Sequence, residues 1–348
     1  MTTGYQKPPE LYDGLRLHQN ENTGGCSPRV LEALRSLRAD QISVYPPYAA
    51  TTEAFARYLD VPADMVALTN GLDEGIMGMA SAYLRPSPDG LIPEAVIPEP
   101  AFEIFQIDTE VVGGRAVRVM PQPDFSFPLD RVLGAITPRT RVVFLTNPNN
   151  PTGVSMALEA IRTIAGAVPP DAVVFVDEAY TEFSGTTFLP QLASCPNVIV
   201  GRTLSKAFGL AGLRLGCLVG ATERLDPIRL AVPVYSVNIA AVVAARAALE
   251  DRPHVAEYIR QVAESKALMY AACDRLGLKY WKSDANFVLV RVGARAADLV
   301  QGAAERGVYL RDRSTEPGCA GCVRIATGIV EHTRRCIEVI EEVLCVVE

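Results

Sequence analysis

The stretch VGRTLSKAFGLAGLRLG, residues 200–216, places Lys206 directly after an apolar run, with Thr203 and Ser205 before it and Arg214 eight positions later. An arbitrary lysine is solvated. Lys206 instead has Leu204, Ala207, Phe208 and Leu210 as neighbours, and such surroundings disfavour the ammonium and leave a nucleophilic amine. The spacing does not match the G-x-x-x-x-G-K phosphate loop. The chemistry that fits is covalent: attack on an aldehyde to form a Schiff base.

Pyridoxal phosphate is the usual source of that aldehyde, and it needs a carboxylate to keep its ring nitrogen protonated. Asp177 closes the apolar run VVFVD, where a buried acid is costly without a cationic partner; capping of the following turn is the competing role. Tyr180, three residues on, could reach the ring oxygen. So could Asn150 in TNPNNPTGVS (146–155), a segment that by composition is simply a turn. TNGLDEG (69–75) runs from a strand into a helix start, where free N–H groups and the positive dipole end suit a phosphate. Thr203, Ser205 and Arg214 add two hydroxyls and a charged fork for the same phosphate. Phe102 in PEPAFEIF could stack on the ring or belong to the core.

These residues need a scaffold, and the chain supplies short apolar runs at 65–70, 141–147, 172–180, 197–203 and 214–220. Helical patterns at 73–84 and 128–136 lie between them. Near-continuous β-branched runs alternating with helices predict an α/β fold with a mostly parallel sheet covered on both faces. The runs end in Thr69-Asn70, Thr146-Asn147, Asp177-Glu178 and Thr203, and in such sheets the carboxyl ends of the strands face the ligand crevice. After about residue 233 the texture changes. Helices at 238–251 and 255–275, strands at 285–292, in VYLRD and in CVRIAT, and a last helix from about 331 predict a smaller α+β unit.

Composition bounds the function. With 348 residues, 49% of them hydrophobic, the chain can build a large core and exceeds one ordinary domain. The net charge is −7 and no basic cluster is present, which argues against a nucleic-acid surface. Leu230–Ala245 is too short and polar for a membrane span, and the N-terminus lacks a signal-peptide pattern, so a cytoplasmic protein is expected. Eight cysteines are scattered; Cys319 and Cys322 form one C-x-x-C pair without the further ligands of a zinc site. Reduced thiols and no bound metal are expected.

Taken in order, the motifs resemble the fold type I pyridoxal-phosphate-dependent aminotransferases, and within them the histidinol-phosphate aminotransferases. The matching stretches are NEN (20–22), YP (45–46), NGLDE (70–74), NPNNPTG (147–153), DEAY (177–180), RTLSKAFGLAGLRLG (202–216), ANFVLVR (285–291), LRDRS (310–314) and GCVRIATG (321–328). The resemblance implies an N-terminal arm (1–25), a large cofactor-binding domain (26–235) and a smaller C-terminal domain (236–348). It implies that Lys206 carries pyridoxal 5'-phosphate and shuttles the proton, that Asp177 pairs with the ring nitrogen, and that Asn150 and Tyr180 hold the ring oxygen. Backbone N–H groups of Leu72 and Asp73, with Thr203, Ser205 and Arg214, hold the phosphate, and Phe102 stacks on the ring.

The resemblance further implies a homodimer with shared active sites, in which Tyr45 reaches the other subunit's cofactor phosphate. Tyr5, Asn22, Arg311 and Arg324 would face the substrate: Arg324 the α-carboxylate where one exists, and Arg311 the distal phosphate or carboxylate. Arg313 is read as pairing with surface acids. The partners implied are a small amino donor and a 2-oxo acid acceptor, best matched by L-histidinol phosphate and 2-oxoglutarate. An aromatic amino acid as donor, and decarboxylation of a phosphorylated amino acid, remain as alternatives. Three departures are visible: Thr23 where proline is usual, Phe102 where tyrosine is common, and extra prolines in GLIPEAVIPEP (90–100).

Overall fold

Runs that are apolar on both sides of the pleat have to be covered on both faces, and here they form the middle of one sheet. In the computed structural model, which describes residues 13–88 and 90–345, thirteen strands follow one another. They are β1 (Leu15–Arg16), β2 (Val66–Thr69), β3 (Glu94–Pro98), β4 (Arg115–Val119), β5 (Thr140–Thr146), β6 (Val173–Asp177) and β7 (Val198–Thr203). After these come β8 (Gly216–Gly220), β9 (Lys279–Tyr280), β10 (Phe287–Arg291), β11 (Val308–Tyr309), β12 (Arg311–Asp312) and β13 (Cys322–Ala326).

Seven of them make the central sheet, in the order β2-β8-β7-β6-β5-β3-β4. All neighbours from β7 to β4 pair parallel, whereas β8 runs antiparallel to both β7 and β2. The sheet is therefore mostly parallel, with helices on both faces. One core layer joins Val143, Leu145, Val174, Val176 and Val200 to Ile161 and Ile164 of the helix Leu158–Ala167. The other joins Phe144, Phe175 and Leu218 to Ile76 and Met79 of the helix Gly71–Tyr83. Each such side chain, once buried, contributes about 1.5–3 kcal/mol before chain entropy is counted.

A four-stranded antiparallel sheet, β12-β13-β10-β9, packs with the helices Arg252–Arg275, Ala296–Glu305 and Val330–Cys345 around a separate core. VYLRD, expected as one strand, divides its work. Val308–Tyr309 pair in parallel with Leu15–Arg16, and Arg311–Asp312 pair with β13. Leu15 and Arg16 are thereby stitched to the C-terminal part. Proline-rich GLIPEAVIPEP carries β3, with the prolines Pro93 and Pro100 outside it and Pro98 as its last residue.

No helix among the described residues is long and apolar enough to cross a membrane. Cys319 and Cys322 are buried free thiols packed beside Phe125, Trp281 and Leu289. Burial pushes the Cys319 thiol up to about 12, so the pair behaves as apolar side chains.

Candidate active site

Three neighbouring parallel strands end side by side and deliver three groups of residues to one cavity of about 340 Å³. From β5 the chain turns through Asn147–Asn150; from β6 it delivers Asp177 and Tyr180; from β7 it delivers Thr203, Ser205 and Lys206. Leu72, Asp73, Phe102, Arg214, Arg311 and Arg324 complete the wall, with Gln19, Asn20 and Glu21 from the N-terminal segment. Twelve residues singled out from the sequence thus face one space. The strand ends explain the convergence, because a parallel sheet aligns its carboxyl edges.

Lys206 Nζ donates to the backbone oxygen of Gln19 at 2.9 Å. Burial, with the Arg324 charge adding to it, lowers its amine to about 8, so an appreciable neutral fraction exists near neutrality. Asp177 shows the opposite shift. Every residue of β6 is buried, and this burial raises the Asp177 carboxyl to about 7 although the Ala179 N–H and Lys206 oppose it. A cationic partner is what such an acid lacks. The Ala179 N–H donates to Asp177 Oδ1 at 2.9 Å, so the carboxylate caps the following turn while it borders the cavity.

Asn20 Nδ2 donates to the Tyr180 hydroxyl at 3.0 Å. Burial raises the Tyr180 phenol, with the Arg324 charge acting against it. Arg324 donates to Asn150 Oδ1 at 2.5 Å and to the His18 backbone oxygen at 2.7 Å, and it lies 5.4 Å from the Phe287 ring centroid. Its Nε has no partner among the described residues. Burial and the charge of Arg313 lower Arg324 to about 10.

The phosphate-like corner is built around a glycine. Gly71 has φ +75°, and a Cβ there would come within 2.6 Å of Arg214 Nη2. This close approach lets Arg214, itself at φ 56°, reach Asp73 Oδ2 at 2.9 Å. No side chain caps the N-terminus of the helix Gly71–Tyr83, so its first N–H groups remain available to an anion. Thr203 Oγ1 donates to Ser205 Oγ at 3.0 Å and accepts from the Ser205 N–H at 3.1 Å. Phe102 meets Phe105 edge-on, with ring centroids 6.0 Å apart.

Two residues lie elsewhere. Asn22 donates to the Ala207 backbone oxygen at 2.9 Å and lines a neighbouring cleft. Tyr45 is 74% exposed and stacks on Tyr235 at 4.3 Å between centroids. Tyr5 falls outside the described residues. One expectation is corrected: Arg313 does pair with acids, Glu316 and Glu103, but it is not at the surface. It is 5% exposed and lines the cavity, because residues 311 and 313 share a face of extended chain. That period-two spacing was the signal available in LRDRS. Gln19 acts through its backbone oxygen, which no side-chain pattern reveals.

These groups fit pyridoxal phosphate. An amine with a lowered pKa stands opposite a buried acid lacking a cation, and hydroxyls, open helix N–H groups and a guanidinium form an anion cradle beside them.

The chain matches Aminotransferase class I and II over residues 12–340. A histidinol-phosphate aminotransferase of Symbiobacterium thermophilum is 38% identical, covering 97% of this chain and 93% of that protein. One from Methanocella arvoryzae is 37% identical, covering 94% and 90%. Among solved structures, histidinol-phosphate aminotransferase from Sinorhizobium meliloti in complex with pyridoxal-5'-phosphate superposes with a TM-score of 0.87 at 26% identity, covering 97% of this chain and 92% of that one. Aspartate aminotransferase from Thermus thermophilus with maleate shares the fold, with a TM-score of 0.79 at 24% identity and coverage of 95% and 92%. The chain is thus an aminotransferase that uses pyridoxal phosphate, and it belongs to the aminotransferase class I and II family.

Proposed function

We propose that this enzyme transfers the amino group of L-histidinol phosphate to 2-oxoglutarate, giving imidazole acetol phosphate and L-glutamate. The observation that carries the reading is a pair of arginines on the cavity wall. Arg311 and Arg324 are direct cross-strand partners of β12 and β13, and both face the space occupied by Lys206. Like charges directly opposite each other destabilise a sheet, and anionic substrate groups offset that. Relatives at 32–38% identity are named histidinol-phosphate aminotransferases, which supports histidinol phosphate as the amino donor.

When bound, pyridoxal phosphate would supply an electron sink for the substrate α-carbon. Lys206 binds the cofactor and afterwards moves a proton at that carbon. Asp177 keeps a proton on the ring nitrogen, while Asn150 and Tyr180 hydrogen-bond the ring oxygen and Phe102 stacks on the ring face. The N–H groups of Leu72 and Asp73, with Thr203, Ser205 and Arg214, hold the phosphate. Arg324 binds the α-carboxylate of 2-oxoglutarate, Arg311 binds the distal anion of either substrate, and Tyr5 closes over the substrate, whereas Asn22 only ties the N-terminal segment to the Ala207 backbone oxygen.

The functional unit is a homodimer in which Tyr45 completes the partner's phosphate site. Support comes from the exposed apolar residues Ile42, Val44, Tyr45, Leu230, Val234 and Tyr235, a set that a second copy would cover. Glutamate release from 2-oxoglutarate tests the substrate reading. It should depend on histidinol phosphate far more than on phenylalanine; release of carbon dioxide, or a preference for phenylalanine, contradicts it.

A further inference from the structure

Arg313 has the surroundings of a ligand-binding residue. Its backbone N–H donates to the Cys322 oxygen at 2.9 Å, extending the β12–β13 pairing by one step, and this fixes its side chain on the face of Arg311. The side chain is 6% exposed. Nη2 meets Glu316 Oε1 at 2.5 Å and Nη1 lies 3.6 Å from Glu103 Oε1. Arg313 Nε and Glu316 Oε2 are both buried and have no partner among the described residues. Arg313 also forms the partition between the Lys206 cavity and an outer one of about 470 Å³; Phe102, Glu103 and Arg311 line both as well.

We propose that Arg313 is a specificity-determining residue of the substrate site: its guanidinium binds the distal phosphate or carboxylate of the substrate, and Glu316 is the internal carboxylate that competes for it. The proposal rests on the reading above that both substrates carry a distal anion. A phosphomonoester bears about −1.5 to −2 at pH 7 on three acceptor oxygens, more charge than one guanidinium fork at Arg311 can match. A second fork two residues along the same face supplies the remainder. The distal carboxylate of 2-oxoglutarate has a single charge and two acceptor oxygens, so it displaces Glu316 less readily. Burial raises the Glu316 carboxyl to about 7; Arg313 and Arg324 oppose this, and Glu103 and Glu99 add to it. A carboxylate so easily protonated is a weak competitor, able to release Arg313 to a stronger anion.

The test compares three variants of the holoenzyme by two readouts. The first is the dissociation constant of glutarate, an unreactive dicarboxylate, and of inorganic phosphate, each measured by competitive inhibition. The second is KM for 2-oxoglutarate and for histidinol phosphate, set against KM for alanine, which has no distal anion. Glu316→Gln removes the competitor and should tighten glutarate several-fold. Arg313→Gln combined with Glu316→Gln keeps the shape and a neutral hydrogen bond, and should weaken glutarate and raise KM for both distal-anion substrates roughly 10- to 100-fold, the scale of one charge-assisted contact. Arg313→Lys, which keeps the charge but loses the fork, should fall between wild type and that double variant. Alanine should be affected little.

A merely structural ion pair predicts something else: Glu316→Gln would weaken every substrate alike. That result overturns the proposal, as does an unchanged glutarate constant in the double variant. If the wild type binds glutarate but does not use histidinol phosphate, the substrate reading fails and the glutarate constants still decide the role of Arg313.

Discussion

Replacing Asp177 by asparagine should have opposite effects on the cofactor-free protein and on the enzyme at work. In the fold, burial raises this carboxyl from its ordinary 3.8 to about 7. The folded state therefore holds a proton that the unfolded chain has lost between about pH 4 and pH 7, and stability falls as pH rises through that window. The rise corresponds to about 4 kcal/mol, fully present above about pH 7 and absent below about pH 4. Asparagine can still accept the Ala179 N–H that Asp177 accepts at 2.9 Å and carries no charge, so it should remove the penalty. Urea unfolding of the cofactor-free proteins should find Asp177→Asn more stable by up to about 4 kcal/mol at pH 8, with the gap closing toward pH 4. With pyridoxal phosphate bound the order reverses: the ring nitrogen loses its counter-charge, and turnover should fall by roughly 10²–10³ or more. A stability gap that does not change with pH, or unchanged turnover, would refute the electrostatic role and leave Asp177 as a turn cap.

Lys206→Ala should still bind the cofactor through its phosphate contacts, yet lose the absorbance of the lysine-linked form and all turnover, as spectroscopy with a coupled assay would reveal. Gly71→Ala forces a Cβ to within 2.6 Å of Arg214 Nη2 at φ +75°; it should cost about 1–2 kcal/mol of stability and weaken cofactor binding, checked by thermal unfolding and by titration. Arg311→Lys should weaken histidinol phosphate and 2-oxoglutarate together by about 1.5–3 kcal/mol each, with donors lacking a distal anion spared, as kcat/KM ratios would establish. Tyr45→Phe subunits mixed with Lys206→Ala subunits should form hybrids holding one intact site and one with neither residue. Activity of the mixture that tracks only the unmixed Tyr45→Phe dimers would refute shared sites.

Much of this site was legible because its residues sit at the ends of strands that read as strands. VVFVD and NVIVGRT are apolar on both faces, so their terminal Asp177 and Thr203 could be placed at one edge without coordinates. The reverse direction of β8 was not legible, since RLGCLVG has the same apolar texture as its parallel neighbours and nothing local encodes direction. VYLRD hid its division between two sheets for a similar reason: Leu310 carries no break signal, and the split depends on β1, far away in sequence. Arg313 was misplaced because charge alone suggests a surface. Its burial follows from pairing with β13 and from two acids, Glu103 and Glu316, one of them more than two hundred residues distant. For Tyr45 the single subunit shows only an exposed ring stacked on Tyr235, because the phosphate site proposed for it belongs to a second copy of the chain.

One half-reaction tests the central claim most directly. Holoenzyme mixed with L-histidinol phosphate and no acceptor should convert its cofactor to pyridoxamine phosphate and release one oxo product per site. Adding 2-oxoglutarate should then restore the starting absorbance and yield one glutamate per site. Cofactor left unchanged by histidinol phosphate, or carbon dioxide released from an amino-acid donor with no glutamate formed, would contradict it.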